Sequence, residues 1–175
     1  MILETERLFL REMTEQDYDA LYRVLGDAEN MKHYPYLFDE ERVHGWIRRN
    51  MDRYETFGFG LWAVCLKESG EMIGDCGLSM QIINNQIKPE IGYHIRRDLH
   101  RKGYAKEAAS AVRDWAFTNT LFRKVYSYMT KDNEGSRKTA MSYGCVQVDE
   151  YEDENEGIHV VYDLSKEEWK KKFNK

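Results

Sequence analysis

The sequence predicts an α/β fold in which a mixed, mostly antiparallel central sheet of about seven strands carries flanking helices. Three consecutive apolar segments joined by short turns indicate an antiparallel meander. After them a helix dense in small residues lies between two strands, which indicates one β-α-β crossover over residues 87–129. No proline- or glycine-rich linker divides the 175 residues, so we expect a single domain over residues 1–175.

The first predicted elements are a strand and two helices. Leu8 and Leu10 recur at a two-residue period within residues 7–11, as in a half-buried strand. Thr14 is a candidate N-cap for a first helix, which Gly26 would end, and Asp39 is a candidate N-cap for a second. The apolar faces of the two helices consist of Ala20, Leu21, Val24 and Leu25, and of Val43, Trp46, Ile47 and Tyr54.

The remaining elements follow in order. Strands are predicted over Leu61–Leu66 and residues 72–80 and 87–95, with turns at Ser69-Gly70 and Asn84-Asn85. The later elements are a helix over residues 105–116, a strand over 122–129, a helix over 136–143 with Gly144 as its C-cap, a hairpin of residues 146–148 and 158–164, and a short helix at Trp169.

Composition excludes several classes of protein. Lys and Arg number 26 and Asp and Glu number 31, and the resulting net charge of −5 argues against a nucleic-acid coat. The longest apolar run, Leu61–Leu66, is far below the roughly 20 residues of a membrane helix. No basic and then apolar stretch opens the sequence, so we expect a cytoplasmic protein without a secretory signal. Cys65, Cys76 and Cys145 form no metal-ligand motif, and we expect them to be reduced core residues.

Charge is concentrated in two segments of opposite sign. Residues 149–156 carry only acidic charges, and residues 96–106 carry Asp98 as their one carboxylate. The cations of the second segment are Arg96, Arg97, Arg101, Lys102 and Lys106. Because this basic segment leads from a strand into a helix, free N–H groups at the helix start would favour a bound diphosphate, and Gly103 lets the backbone approach closely. The alternative is a capped helix start with a solvated surface.

Residues 90–105 resemble the acyl-CoA-binding motif of the GNAT superfamily of N-acetyltransferases. The loop of that motif has the pattern Gln/Arg-x-x-Gly-x-Gly/Ala. Gly103 and Ala105 match this pattern, whereas His100 departs from it. The resemblance implies a GNAT-like fold in which two parallel central strands splay apart.

Two further segments carry the resemblance. Asn133-x-x-Ser136 with Gly144-Cys145 is similar to a downstream family segment, with cysteine in place of phenylalanine. Residues 3–11 are similar to the start of the ribosomal-protein alanine acetyltransferase branch. These matches occur in order and spacing over nearly the whole chain, and together they are more specific than any one of them.

The resemblance implies that acetyl-CoA lies in a cleft between the strands at residues 87–95 and 122–129. Asn133 would hydrogen-bond the pantetheine arm, and no metal is implied. The backbone expected beside the pantetheine belongs to Tyr93, His94, Ile95 and Arg96, and that beside the pyrophosphate to Arg101, Lys102, Gly103, Tyr104, Ala105 and Lys106. One wall of the acceptor pocket would consist of Met31, His33, Tyr34 and Tyr36.

Three side chains are candidates for proton transfer. Glu90 lies where some family members carry a glutamate base, and the alternative is a carboxylate that only pairs with a neighbouring cation. Ser136 would donate a proton to the leaving thiolate, as proposed for the ribosomal-protein branch. Many family members instead use a tyrosine seven residues after the asparagine, where this sequence has Ala140. Tyr143 follows three residues later and points either into the site or into the core.

These features predict an N-acetyltransferase that moves the acetyl group of acetyl-CoA directly onto a primary amine, with a protein N-terminal α-amine as the expected acceptor. The alternatives are a polyamine, an aminoglycoside or another small amine, and, in a different class, a non-catalytic acyl-CoA-binding regulatory domain. Neither a membrane nor direct nucleic-acid contact is expected. The acidic hairpin tip either steers a cationic acceptor or is simply solvated. The sequence leaves open whether the protein forms a homodimer.

Overall fold

The computed structural model describes residues 1–174, in which eight strands form one sheet. The strands are β1 (Leu3–Glu4), β2 (Leu8–Arg11), β3 (Leu61–Leu66), β4 (Met72–Ile83), β5 (Gln86–Ile95), β6 (Lys124–Thr130), β7 (Val146–Asp153) and β8 (Gly157–Ser165). The helices are α1 (Tyr18–Leu25), α2 (Glu40–Phe57), α3 (Tyr104–Asn119), α4 (Glu134–Ser142) and α5 (Lys166–Phe173), with short 3-10 helices at Glu15–Asp17 and Arg97–Leu99.

The sheet has the strand order β1-β2-β3-β4-β5-β6-β8-β7. Neighbouring strands pair antiparallel except β5 and β6, which are parallel and are joined by the predicted crossover through α3. The β4–β5 hairpin turns at Asn84 and Asn85, both at positive φ. Positive φ at both central residues is the geometry of a type I′ turn, in which asparagine is favoured.

Helices cover both faces of the sheet. Side chains of β3 show the division, because Ala63 and Cys65 pack in the core under α1 and α2, whereas Trp62 and Val64 pack in the core under α3. Successive residues of a strand point to opposite faces. The parity of a residue on β4 or β5 therefore decides which of the two layers it meets.

The expected count of about seven strands is close to the eight observed. The additional strand, β1, has two residues, too few to show a period in the sequence. β7 also continues from the predicted end at Val148 to Asp153, because it pairs with β8 as far as Gly157. Most of the acidic segment thus lies along an edge strand instead of in a hairpin tip. Charge on an edge strand opposes pairing with other chains.

Three further observations concern residues 1–174. The helices found there are too short or too polar to cross a membrane. No group of three or more His, Cys, Asp or Glu side chains in this range is placed to hold a metal ion. Cys65, Cys76 and Cys145 are buried free thiols, as expected.

Candidate active site

β5 and β6 diverge after a single pair of residues. Within residues 1–174, Glu90 and Tyr126 form the one register pair between these strands. The Ser127 hydroxyl donates to the Ile91 carbonyl at 2.7 Å, so the odd-numbered residues of β5 direct their backbone groups towards β6. Tyr93 has the same parity as Ile91. Its backbone N–H and C=O therefore face the gap between the strands.

The turn before α3 exposes backbone N–H groups. Arg101 and Gly103 have positive φ values of 63° and 83°, and the helix begins directly afterwards at Tyr104. The first N–H groups of a helix have no partner within it, and the positive end of the helix dipole lies there. Arg101, Lys102 and Lys106 are exposed and form no ion pair within residues 1–174. These properties fit a bound diphosphate.

Contacts from the N-terminal segment fix this turn. The Arg7 guanidinium pairs with Glu107 in the first turn of α3 and donates to the Lys102 carbonyl at 2.9 Å. It also lies 4.5 Å from the centre of the Tyr104 ring. Burial opposes ionisation of Glu107, but hydrogen bonds from Thr5 and Arg7 lower its pKa below the ordinary value. No local sequence pattern predicts the contact between Arg7 and Glu107, since about a hundred residues separate them.

α4 begins beside the gap. Asn133 Oδ1 accepts from the Ser136 amide N–H at 3.1 Å and caps the helix. The Tyr93 hydroxyl donates to the Ser136 carbonyl at 2.9 Å and lies 3.2 Å from Ser136 Oγ. Because its oxygen is engaged, Asn133 has its amide N–H groups left for a ligand. Tyr143 is fully buried and hydrogen-bonds the Ser127 hydroxyl, so its side chain points into the core.

Two of the residues expected beside the pantetheine have side chains that bond other parts of the protein. Arg96 forms ion pairs with Asp98 and Glu71, which neutralise its guanidinium. His94 has even parity on β5 and points to the face covered by α1 and α2. Both residues have even parity, so their backbone groups face β4, where the Arg96 amide N–H donates to the Ile73 carbonyl at 2.8 Å.

The end of β5 joins the basic turn to the loop after α1. His100 Nε2 donates to the Ile95 carbonyl at 2.8 Å, and Asn30 Nδ2 donates to the same oxygen at 3.2 Å. His100, which departs from the family pattern, therefore orders the backbone of the turn. Asn30 belongs to the loop that contains the expected acceptor wall.

Glu90 is half-buried on the face of β5 that α1 and α2 cover. The Ser79 hydroxyl donates to its carboxylate at 3.3 Å. The carboxylate lies over Gly92, where a Cβ would be in ordinary van der Waals contact with Glu90 Oε2 at 3.6 Å. Burial raises the pKa of Glu90 to about 7, although the charge of His94, the Ser79 hydrogen bond and the charge of Arg53 oppose the rise. Such a carboxylate can accept and release a proton near neutral pH.

The loop between α1 and α2 forms an aromatic wall near Glu90. The Tyr34 hydroxyl lies 2.7 Å from His94 Nε2, and the Tyr34 ring centre lies 6.2 Å from that of Tyr36. Tyr36 is 43% exposed at the rim. Met31 is buried beneath the loop, and the ring of His33 lies 3.4 Å from a carboxylate in the loop before α4. The rings of Tyr34 and Tyr36 thus form the wall, and Met31 packs beneath it. His33 connects the loop to the segment before α4.

Comparison with known proteins identifies the family. A model of the acetyltransferase (GNAT) domain matches residues 7–146, which are most of the chain. The chain belongs to the GNAT family. It is an acetyl-CoA-dependent N-acetyltransferase, in agreement with the relatives described next.

Curated relatives of this GNAT protein come from Bacillus species. The uncharacterized protein YkkB of Bacillus subtilis (strain 168) is 34% identical over 143 residues, which cover 81% of this chain and 83% of that protein. The uncharacterized N-acetyltransferase p20 of Bacillus licheniformis is 31% identical over 139 residues, which cover 78% of this chain and 77% of that protein.

Solved structures share the GNAT fold. An acetyltransferase (GNAT family) from Bacillus anthracis has a TM-score of 0.82 at 22% identity, over 95% of this chain and 99% of that one. A ribosomal L7/L12 α-N-protein acetyltransferase in complex with coenzyme A has a TM-score of 0.76 at 16% identity, over 94% and 97%. These likenesses establish the α/β GNAT architecture with its single parallel pair.

In this GNAT protein the two halves of the site approach each other at the gap between β5 and β6. The basic turn and the start of α4 lie on the α3 side, and Glu90 with the aromatic wall lies on the side of α1 and α2. An acyl group carried into the gap would reach the carboxylate at the point where the strands part. The individual contacts of acetyl-CoA stay predictions.

Asp75 was not singled out from the sequence, although it bonds His94 on the face of the sheet that α1 and α2 cover. Its carboxylate is fully buried and accepts from Trp46 Nε1 and from His94 Nδ1, each at 2.7 Å. One signal could have found it: a carboxylate stands alone within the apolar run that forms β4. A charged residue that is fully buried requires hydrogen-bonding partners, so its presence in an apolar strand indicates a buried polar cluster.

Proposed function

We propose that this acetyltransferase acts on protein N-terminal α-amines, with Glu90 as the general base. The observation that carries the proposal is the position of Glu90, half-buried beside the gap, with its pKa raised by burial to about 7. An α-amine has a pKa of about 8, whereas the lysine ammonium has one of about 10.4. Roughly a tenth of an α-amine is neutral at pH 7, so a base of this strength suffices.

The proposed transfer is direct. The amine nitrogen attacks the thioester carbonyl carbon, its proton passes to the Glu90 carboxylate, and the carbon–sulfur bond breaks. The thiolate takes a proton from Ser136, whose hydroxyl lies at the start of α4 beside Tyr93, and water returns a proton to the Ser136 oxygen. Glu90 then releases the amine proton to solvent, so both side chains end the transfer unchanged. The backbone N–H of Tyr93 faces the gap and would donate to the thioester oxygen as negative charge develops there.

The rim of the acceptor side supports a peptide over a free small amine. Tyr36 and Leu37 are 43% and 71% exposed, and together they offer an apolar surface to the residues that follow an N-terminus. A small amine would leave this surface unused. The aromatic wall itself favours a second candidate, a cationic small amine bound by cation–π contact with Tyr34.

An amine panel tests the proposal. Purified protein and acetyl-CoA are mixed with peptides that carry free α-amines, and thiol release is measured against spermidine, an aminoglycoside and free lysine. We expect turnover to be fastest with the peptides and to be lost when the α-amine of the same peptide is blocked. Faster turnover of a small amine would favour the second candidate. Binding of acetyl-CoA without thiol release on any amine would contradict the proposal.

A further inference from the structure

A buried chain of hydrogen bonds lies on the acceptor side beyond Glu90. Asp75 accepts from Trp46 Nε1 at one carboxylate oxygen and bonds His94 Nδ1 at the other, both at 2.7 Å. The second ring nitrogen of His94, Nε2, lies 2.7 Å from the Tyr34 hydroxyl. The Asp75 side chain is fully buried and that of His94 is 13% exposed. No role in the transfer described above uses Asp75 or His94.

The charges in this chain constrain the state of the imidazole. An ionised carboxylate only accepts hydrogen bonds, so His94 Nδ1 carries the proton shared with Asp75. A buried carboxylate also requires a compensating cation, and His94 is the group in direct contact with it. Burial alone would lower the pKa of His94, but the charge and hydrogen bond of Asp75 and the charge of Glu90 raise it above the ordinary value.

The geometry of β5 brings this charge to Glu90. Both side chains have even parity and lie on the same face, with Gly92 between them. The Glu90 carboxylate leans over Gly92, because a Cβ at that position would lie 3.6 Å from Oε2 and 3.9 Å from Cδ. With no side chain at position 92, nothing on the strand separates the carboxylate from the imidazole.

Other charged or titratable groups face the same space from each element packed there. Arg53 of α2 opposes the rise in the pKa of Glu90. Burial, and after it the charge of Glu90, raise the pKa of Tyr34 in the loop and of Tyr128 on β6. On β4, Ser79 donates to Glu90 and Asp75 holds His94. Of the two cations that act on Glu90, His94 has a larger effect than Arg53.

We infer that His94 is a positioning residue of the transfer: held as an imidazolium by Asp75, it keeps the Glu90 carboxylate ionised and fixes the Tyr34 hydroxyl in the acceptor wall. The inference rests on the proposed role of Glu90 as the base. His94 need not touch either substrate, since it acts through its charge on Glu90 and through its bond to Tyr34.

The pH profile of kcat/KM for a peptide acceptor tests this role in His94→Gln. Glutamine keeps a hydrogen-bonding amide near Asp75 but removes the positive charge. Without that charge Glu90 binds its proton more tightly, so the ascending limb should move about one pH unit upwards. At pH 7 this predicts a decrease in kcat/KM of about fivefold, with recovery above about pH 8.5. A purely structural role would lower activity equally at every pH.

Three variants complete the experiment. His44→Gln removes another histidine that bonds a carboxylate, Glu15, on the outer side of α2, and it should leave the profile unchanged. Tyr34→Phe breaks the bond to His94 but keeps the charge, so it should raise the acceptor KM without moving the limb. Asp75→Asn removes the carboxylate that holds the imidazolium, so it should also move the ascending limb to higher pH. This variant provides the test if His94→Gln does not fold.

The outcomes separate this inference from the proposed function. A His94→Gln protein that binds acetyl-CoA normally and keeps the wild-type limb overturns the inference, as does an Asp75→Asn protein with an unshifted limb. If Glu90→Gln retains the wild-type profile, the proposed base is wrong and the inference fails with it. Loss of the limb in Glu90→Gln, together with no shift in His94→Gln, would contradict the role of His94 alone.

Discussion

Glu90 and Ser136 lie on opposite sides of the gap between β5 and β6, and each is held by its own hydrogen bonds. Ser79 supports the Glu90 carboxylate, and the capping oxygen of Asn133 fixes the Ser136 backbone. A base and an acid placed on opposite sides of an acyl group can act in one transfer without exchanging protons directly.

Replacing the carboxylate of Glu90 by an amide should remove the base and keep the shape of the site. We expect Glu90→Gln to lower kcat by about 10²-fold, because general-base catalysis contributes at least that much. In the wild-type protein kcat/KM should rise as pH increases through about 7, where Glu90 loses its proton. The variant should lack this component and should rise only as the amine itself loses its proton, at about pH 8. Initial rates from pH 5.5 to 9 measure both. Glu68→Gln, an exposed carboxylate in a turn, is the control that should keep the wild-type profile.

Removing the hydroxyl of Ser136 should slow departure of the thiolate. A thiol with a pKa of about 8.5 is already a fair leaving group, so we expect kcat to fall only about tenfold in Ser136→Ala, with little change in acetyl-CoA affinity. Ser142→Ala changes a serine near the other end of α4, whose hydroxyl bonds the Thr139 carbonyl, and it serves as the matched control. Unchanged kcat in Ser136→Ala would remove this residue from the mechanism.

Some of these functional groups could be predicted from the sequence and others could not. Glu90 and Ser136 were singled out because each falls at a position that the family pattern marks. The Asp75–His94–Tyr34 chain was not found, since its members are separated by 19 and 60 residues and meet only when β4, β5 and the loop pack together. Whether Tyr143 points into the site or the core likewise depends on packing, which no local pattern encodes.

At the scale of elements, the basic turn and α3 form the unit that fits a diphosphate. The φ of Gly103 is 83°, a conformation that other residues adopt only at a cost. Arg7 holds the far side of the turn through Glu107 and the Lys102 carbonyl. The orientation of the helix start is therefore fixed before any ligand arrives.

A side chain at position 103 should disturb this unit selectively. Left-handed backbone costs an ordinary residue roughly 1–2 kcal/mol, and about 1.4 kcal/mol corresponds to tenfold in affinity. We expect Gly103→Ala to raise the KM for acetyl-CoA about tenfold with a smaller change in kcat. Gly58→Ala imposes the same kind of strain at the end of α2, where φ is 75° and the added Cβ meets no atom within 4 Å. It should lower the melting temperature and leave this KM unchanged.

The bounds of an element were predictable where apolar residues and flanking turn residues within one segment mark them. β3 was predicted with its observed bounds, and β5 within one residue, because apolar runs and turn residues delimit them. β1 and the outer half of β7 were not, because they exist through pairing with β2 and β8. Thr14 caps the 3-10 turn before α1 instead of α1 itself, a distinction that a capping residue does not reveal.

At the scale of the whole molecule, the sheet consists of two parts joined by little backbone pairing. β1 to β5 form one antiparallel part and β6 to β8 the other, and a single register pair connects them within residues 1–174. A ligand that contacts both sides of the gap would add connections that the sheet lacks. Binding of such a ligand should therefore raise the free energy of unfolding of the whole domain.

Acetyl-CoA should raise the melting temperature of the protein. At a hundred times its Kd a ligand adds about 2.7 kcal/mol of stability, which corresponds to roughly 5–10 °C for a domain of this size. Thermal unfolding followed by tryptophan fluorescence measures the shift. Pantetheine, which has no diphosphate, is the control and should produce a smaller shift at equal concentration. An equal shift with both compounds would contradict a diphosphate site at the start of α3.

The shared carbonyl of Ile95 has a consequence for binding. One oxygen accepts from Asn30, in the loop of the expected acceptor wall, and from His100, in the turn that opens α3. Rotation of that single peptide plane would change both hydrogen bonds together, so binding at either place would change the binding free energy at the other by the same amount. Such coupling would be measured as a Kd for each substrate that depends on the concentration of its partner.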